Sequence, residues 1–94
     1  MEKLEKAIEQ KLVKLVEANG GRCIKWTSPS SSGVPDRIVI LPHGRVIFVE
    51  TKRPKGGRLS PMQRIWRDRL ITLEQEYYII SNESDLELFR ILIP

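Results

Sequence analysis

Apolar residues near the N-terminus recur with the period of an α-helix. Ile8, Leu12 and Leu15 are spaced by four and three residues, and most positions between them are charged or polar. Two consecutive glycines follow this stretch, and glycine at such a place is typical of the end of a helix. The pattern therefore predicts a first amphipathic helix over residues 2–19.

Four shorter segments are rich in the apolar and β-branched residues that favour strands. The predicted strands cover residues 22–27, 38–41, 45–52 and 77–80. The second and third are close enough in sequence to pair as a hairpin through a short turn that contains Pro42 and Gly44. Because the third segment is apolar through its middle, we expect it to be a central strand.

Two more helices are indicated by their starting residues. Ser60 can act as an N-cap, and Gln63 can complete a capping box with it. Asn82 or Ser84 can cap a last helix that ends at Leu92. The element order is then α-β-β-β-α-β-α, which predicts an α/β fold with a mixed four-stranded sheet flanked by helices on both faces.

Length, charge and cysteine content narrow the class of protein. Ninety-four residues suffice for one domain, which we expect to span residues 1–94. The net charge of +4 and the isoelectric point near 9.5 favour a polyanionic partner. The single Cys23 excludes an intramolecular disulfide and fits a reducing compartment. No apolar run approaches the ~18 residues of a membrane helix, so we expect a soluble, intracellular protein without a membrane partner.

Two carboxylates and a lysine lie at the ends of the predicted hairpin strands. Asp36 precedes the first of these strands and Glu50 comes near the end of the second, so pairing can bring both carboxylates to one cation. Lys52 follows two residues later and points to the same face as Glu50. The carbonyl oxygen of Thr51 is a further possible ligand. Hard oxygen ligands beside an ammonium group suit metal-assisted cleavage of a phosphodiester.

Several roles remain open from the residues alone. Lys52 can orient a water, lower its pKa or neutralise a phosphate. Glu9 lies at the edge of the apolar stripe of the first helix, where its carboxylate can reach the metal site or be merely solvated. Glu5, one turn earlier, is the alternative helix carboxylate. Gln63 is sufficiently explained as a capping-box residue.

Basic residues follow the second carboxylate and are candidates for contact with a nucleic-acid backbone. Arg53, Lys55 and Arg58 come directly after the predicted site, although a solvated basic loop is the alternative interpretation. Arg37 and Ser28 are further candidates for nucleic-acid contact.

Pro35-Asp36 followed by Glu50-Thr51-Lys52 on this element order resembles the PD-(D/E)xK nuclease superfamily, which has the restriction-endonuclease-like fold. More narrowly, three short motifs resemble the VRR-NUC (virus-type replication-repair nuclease) family: GVPDR at 33–37, FVETK at 48–52 and LSPMQ at 59–63. The resemblance implies that Asp36 and Glu50 bind Mg²⁺ or Mn²⁺ and that Lys52 is catalytic. It also implies a role in the site for Gln63.

The first helix is also similar to that of archaeal Holliday-junction resolvases. The similarity covers residues 9–13 and Gly20, and the matching glutamate in those enzymes belongs to the metal site, which favours Glu9 over Glu5. The chain departs from the family pattern at Thr51, where an apolar residue is commoner. It departs again at residues 73–76, which replace a turn that usually contains glycine.

Small stand-alone members of this family look like virus-encoded, dimeric nucleases that cut four-way junctions. We therefore expect a metal-dependent endonuclease for branched DNA, with no small-molecule substrate, in the cytoplasm of a bacterial host if a phage encodes it. Because symmetric cleavage needs two active sites and the chain carries one, we also expect a homodimer. Ile91, Leu92 and Ile93, or the edge of the first helix, are the candidate interface. The alternatives are flap, nicking or exonuclease activity, or a non-catalytic nucleic-acid-binding module.

Overall fold

The computed structural model describes residues 2–55 and 57–93, with side chains from residue 5 onward. Its elements are α1 (Glu2–Ala18), β1 (Arg22–Lys25), β2 (Arg37–Leu41), β3 (Arg45–Thr51), α2 (Pro61–Thr72), β4 (Glu76–Ile80) and α3 (Glu83–Leu92), with a 3₁₀ turn over Pro42–Gly44 between β2 and β3. This order confirms the predicted one. Gly56, in the predicted basic loop, lies outside the described residues.

The four strands form one sheet in the order β1-β2-β3-β4. The first two pairings are antiparallel, and β4 runs parallel to β3, so the sheet is mixed, as predicted. The third strand is central, because β2 and β4 pair with its two edges. The antiparallel pairing brings the start of β2, which follows Asp36, and the end of β3, which carries Glu50, to the same end of the sheet.

The main hydrophobic core lies between one face of the sheet and the helices α1 and α3. Val39, Ile47 and Val49 alternate along β2 and β3 with residues of the opposite face, as the strand period of two requires. They pack in one cluster with buried residues of α1 and α3 that include Leu12 and Phe89. Helices on this face and on the other confirm the predicted layers.

The second helix packs on the opposite face and covers only part of it. Trp66 of α2 meets the ring of Trp26 edge-on, with ring centroids 5.7 Å apart, and Trp26 packs against Phe48 of β3. Beyond these rings the sheet remains uncovered, and its exposed apolar side chains there are Ile24, Ile40 and Val46. We call these three residues the open sheet face.

The start of α2 is placed by a capping box and by one close backbone contact. Ser60 accepts a hydrogen bond from the backbone of Gln63, as predicted. Gly33, at φ +84°, approaches the first turn of α2 so closely that an added Cβ would lie 2.5 Å from the carbonyl carbon of Met62. A side chain at this position would push the loop away. Because Gly33 has none, the segment that leads to Asp36 can lie against the beginning of α2.

The C-terminal residues proposed for an interface are only partly available. Ile93 is 2% exposed and packs in the core, so its assignment to an interface is wrong. Ile91 and Leu92, on the outer side of α3, are exposed together with Leu88. Within the described part of the chain, no helix is long and apolar enough to cross a bilayer.

Candidate active site

Asp36 is tied to the end of β3 by two hydrogen bonds from one residue. The backbone N–H of Thr51 donates to Asp36 Oδ2 at 2.9 Å, and the Thr51 hydroxyl donates to the same oxygen at 3.0 Å. Both bonds cross from β3 to the residue that precedes β2. Thr51 therefore fixes the first carboxylate beside the strand that carries the second, a role of its hydroxyl that the sequence reasoning missed.

Glu50 is a carboxylate enclosed by the protein. It is 1% exposed, and its Oε2 accepts a hydrogen bond from the amide Nε2 of Gln63 at 3.1 Å. The ammonium of Lys52 lies 4.0 Å from the same oxygen. Its Oε1 is buried and has no hydrogen-bond partner among the residues that the structure describes. One oxygen of Glu50 is thus bound by Gln63, and the other is open to a proton shared with the Asp36 carboxyl or to a cation.

The environment of Glu50 opposes its negative charge. Burial raises the pKa of Glu50 from 4.5 to about 9. A hydrogen bond that the protonated acid shares with Asp36, and then the charge of Asp36, add to the effect, and Lys52 partly offsets it. Two acidic groups placed together in a closed site cannot both ionise cheaply without a counter-charge. A divalent cation between them would supply that charge.

Gln63 connects the helix cap to the two strand residues. Its side-chain Oε1 accepts hydrogen bonds from the backbone N–H of Ser60 at 2.7 Å and from Lys52 Nζ at 2.9 Å. Since both bonds go to the amide oxygen, the amide nitrogen is turned toward Glu50. The Gln63 side chain thus completes the capping box and also contacts Glu50 and Lys52.

The first helix presents its two candidate carboxylates to different neighbours. Glu9 Oε2 accepts a hydrogen bond from Arg37 Nε at 2.7 Å, and Arg37 also donates to the carbonyl of Cys23 at 3.2 Å. Glu5 instead lines a hollow of about 170 Å³ beside Lys52, and its charge contributes to the raised pKa of Glu50. In this conformation Glu9 is engaged by Arg37, and Glu5 faces the lysine.

The predicted basic residues differ in their surroundings. Arg53 and Arg58 line the hollow beside Lys52, and Lys55 is exposed on the same loop. Ser28 is half-buried in the loop before Gly33. Any contact of Arg37 with DNA would compete with its ion pair to Glu9, whereas Lys55 and Arg58 are exposed to solvent.

The donor set fits a hard divalent cation, though it is small. No group of three His, Cys, Asp or Glu side chains suited to a metal occurs within residues 2–55 and 57–93. Asp36 and Glu50 form an adjacent pair, and the unpartnered Oε1 of Glu50 is of the oxygen type that Mg²⁺ and Mn²⁺ bind. Mg²⁺ commonly binds through one or two carboxylates and keeps several waters, so two such ligands are sufficient.

Comparison with known proteins agrees with this geometry. The VRR-NUC domain family matches residues 2–81. The chain belongs to the VRR-NUC domain family. A protein of Acyrthosiphon pisum secondary endosymbiont phage 1 named "Putative nuclease p44" is 40% identical over 80 residues, covering 85% of each chain. A solved structure described as a VRR_NUC domain superposes with a TM-score of 0.84 at 27% identity, covering 90% of this chain and 92% of the other.

Membership of this family confirms the resemblance seen in the three short motifs, and the superposition confirms the predicted fold class. The chain is accordingly a nuclease domain. All three motifs lie within the matched residues.

Proposed function

We propose that this VRR-NUC domain is a DNA endonuclease that depends on Mg²⁺ or Mn²⁺ held by Asp36 and Glu50. The observation that carries the proposal is the buried, unpartnered Oε1 of Glu50 beside the Asp36 carboxyl. An enclosed carboxylate with a free oxygen and a raised pKa is costly to the fold unless a cation compensates it.

The chain's own residues would prepare the site for hydrolysis. A bound divalent ion would neutralise charge on the phosphate and lower the pKa of a bound water. Thr51 holds Asp36 in place, and Gln63 holds Glu50 through its amide nitrogen. Gln63 also holds Lys52 through its amide oxygen, so that the ammonium can meet a scissile phosphate or the attacking water. Thr51 offers its carbonyl oxygen as a further ligand.

The helix carboxylate in this proposal is Glu9, with Glu5 as the alternative. The likeness of the first helix to junction resolvases supports Glu9, but Glu9 would have to leave Arg37 or share it with the metal site. Glu5 has the more direct position, beside Lys52. Substitution of each glutamate separates the two, as described in the Discussion.

DNA is the substrate that the charge distribution favours. Arg53, Lys55 and Arg58 surround the approach to Lys52, where they would contact phosphates and position the duplex without reading its sequence. Arg37 and Ser28 are proposed as additional contacts. A net charge of +4 on 94 residues supports the same interpretation.

We further propose branched DNA, such as a four-way junction, as the preferred substrate and a homodimer as the active form. Resolution of a junction needs two cuts placed symmetrically, whereas each chain carries one pair of metal-binding carboxylates. Two copies related by a two-fold axis would supply both sites.

A panel of substrates tests this function. Four-way junctions, flaps, nicked duplexes and linear duplexes are incubated with Mg²⁺, Mn²⁺ or EDTA. We expect cleavage with either metal and none in EDTA. Among the substrates, the four-way junction should be cut fastest. Lys52→Ala is expected to lower the rate by ~10²–10⁴-fold, whereas Lys14→Ala, at an exposed position of α1, should leave it unchanged.

The outcomes discriminate among the candidate activities. Cleavage in EDTA, or full activity of Lys52→Ala, would contradict the mechanism. Faster cleavage of flaps, nicks or DNA ends would replace junction resolution by one of those activities. Binding without cleavage of any substrate would indicate a non-catalytic module, which the intact set of Asp36, Glu50 and Lys52 disfavours.

A further inference from the structure

Tyr77 shares a face of the sheet with Glu50. In the parallel pairing of β3 with β4, Tyr77 lies opposite Phe48, and Ile79 lies opposite Glu50. Residues two apart on a strand point to the same side, so Tyr77 is the diagonal neighbour of Glu50 on the face covered by α2. Tyr78 points to the other face, where its ring meets Phe89 edge-on at 5.8 Å.

The Tyr77 hydroxyl and Glu50 Oε1 have the same unusual status. Both atoms are buried, and neither has a hydrogen-bond partner in the part of the chain that the structure describes. Leaving a buried polar group unpaired destabilises a fold, so such groups in folded proteins normally bind another protein group, a water or an ion. The indole N–H of Trp66, on α2, is a third such atom and, like the Tyr77 hydroxyl, a donor.

The charge of Glu50 reaches Tyr77. Burial, and next the charge of Glu50, raise the pKa of Tyr77 to about 12, with Arg67 opposing and Asp36 adding to the effect. The phenol therefore stays protonated at the pH values where proteins work, and it remains a hydrogen-bond donor. On the same face of the sheet, Glu50 Oε1 is the buried acceptor that lacks a partner among the described residues.

We propose that Tyr77 is a positioning residue of the metal site, whose hydroxyl binds one buried water that in turn donates to Glu50 Oε1. The two atoms are not directly bonded, so a single water is the smallest group that can satisfy both. A buried water needs two to four polar partners, and Tyr77, Glu50 and the Trp66 N–H are of the right kinds. A carboxylate oxygen has two lone pairs, so Oε1 can accept from this water and still bind a cation.

This role rests on the proposed metal-dependent function and makes it more specific. A water that donates to Oε1 fixes where this oxygen lies relative to a bound cation. It also limits rotation of the carboxylate, whose other oxygen is held by Gln63. Loss of the hydroxyl should therefore weaken metal binding, although Tyr77 touches neither metal nor DNA.

Neighbouring tyrosines offer a matched experiment. Mn²⁺ binding is measured by isothermal titration calorimetry on wild type, Tyr77→Phe and Tyr78→Phe. Tyr77→Phe is expected to weaken Mn²⁺ binding about 10-fold or more, as is usual when a partner of a metal ligand is removed. Tyr78→Phe, with the same atoms removed from the opposite face, is expected to bind as wild type does. Thermal unfolding in EDTA checks that both variants fold.

A second measurement separates positioning from catalysis. Tyr77→Phe should require more Mn²⁺ for half-maximal DNA cleavage but reach nearly the wild-type rate at saturation. Wild-type affinity of Tyr77→Phe for Mn²⁺ would overturn this inference alone. A wild-type protein that binds no Mn²⁺ would overturn the proposed function, and this inference with it. Equal weakening by Tyr77→Phe and Tyr78→Phe would reduce the effect to general packing and also overturn it.

Discussion

At the scale of single residues, Glu50 decides what the site can do. The sequence places Asp36, Glu50 and Lys52 at strand ends, and the hairpin brings them together as predicted. The near-complete burial of Glu50 could not be predicted, because it depends on α2 lying over this end of the sheet. The chemical character of the carboxylate, a group driven toward its neutral form, follows from that burial.

The raised pKa of Glu50 predicts how stability depends on pH. Between 4.5 and about 9 the folded protein holds a proton on Glu50 that the unfolded chain has released. Higher pH therefore favours unfolding, and the free energy of unfolding should fall as pH rises through this window. The contribution reaches ~1.4 kcal/mol per pH unit where the difference is one full proton. Urea unfolding in EDTA at a series of pH values measures it.

Two glutamine substitutions provide the comparison for this pH effect. Glu50→Gln removes the titrating group and should flatten the decline, while Glu17→Gln, at an exposed position of α1, should keep it. A wild-type protein as stable at the alkaline end as at the acid end would show that Glu50 is not held protonated.

The contacts of Tyr77 and of the Thr51 hydroxyl could not be predicted from the sequence, because they depend on how strands pair. Tyr77 becomes a neighbour of Glu50 only through the parallel register of β3 and β4, and nothing local in the sequence sets that register. The hydroxyl of Thr51 is similar, since its bond to Asp36 depends on how two strand ends meet. Strand periodicity predicts which residues share a face, but not their partners across strands.

At the scale of elements, hydrophobic periodicity predicted the helices and strands correctly, whereas the residues at which some of them end were predicted less accurately. The helix starts at Ser60 and Asn82 are confirmed because both side chains accept the capping hydrogen bond. The first strand is shorter than predicted and ends at Lys25. The N–H of Trp26 still bonds to the carbonyl of Asp36 at 2.9 Å, so pairing continues briefly beyond the strand.

The ion pair between α1 and β2 predicts a stability effect. Glu9 and Arg37 have side chains only 17% and 19% exposed, so Glu9→Gln leaves a largely enclosed guanidinium without its counter-charge. We expect a loss of ~1–3 kcal/mol in the free energy of unfolding. Glu83→Gln breaks the ion pair with Lys11. Because the Lys11 and Glu83 side chains are 55% and 64% exposed, the loss in the free energy of unfolding should be less than ~1 kcal/mol. Urea unfolding in EDTA compares the two.

Glutamine substitutions at Glu9 and at Glu5 identify the helix carboxylate once Mn²⁺ is titrated. If Glu9 serves the metal site, Glu9→Gln should lower Mn²⁺ affinity and Glu5→Gln should not. The reverse result would assign this role to Glu5, which lies beside Lys52. A loss of stability from Glu9→Gln with unchanged Mn²⁺ affinity would make Glu9 a structural residue that anchors α1 to the strand after Asp36.

At the scale of the whole molecule, the two faces of the sheet are covered unequally. Helices α1 and α3 close one face, whereas α2 leaves the open sheet face uncovered. An open groove of about 590 Å³ runs along α2. Its lining residues are Ile65, Trp66, Asp68, Arg69, Thr72 and Leu73. Contacts of Trp66 with Trp26, and of Trp26 with Phe48, connect the groove on α2 to the face of the sheet that carries the open sheet face.

We expect this surface to be the interface of the proposed homodimer. Its apolar centre is unsuited to phosphates, and exposed apolar area of this kind commonly marks a protein interface. Asp68 and Arg69 lie side by side on the groove, so two copies related by a two-fold axis can set opposite charges against each other. The outer side of α3, with Leu88, Ile91 and Leu92, is the competing surface.

One substitution on each surface locates the interface of the proposed homodimer. Ile40→Glu places a charge in the open sheet face and should convert the dimer to monomer, because an unpaired charge cannot be buried cheaply there. Leu88→Glu, at an exposed position of α3, should remain dimeric. Sedimentation velocity measures both, with wild type as reference. The Ile40→Glu monomer should nick a four-way junction but lose paired cleavage of its two strands. Dissociation by Leu88→Glu alone would move the interface to α3, and a wild type that stays monomeric on junction DNA would contradict the homodimer.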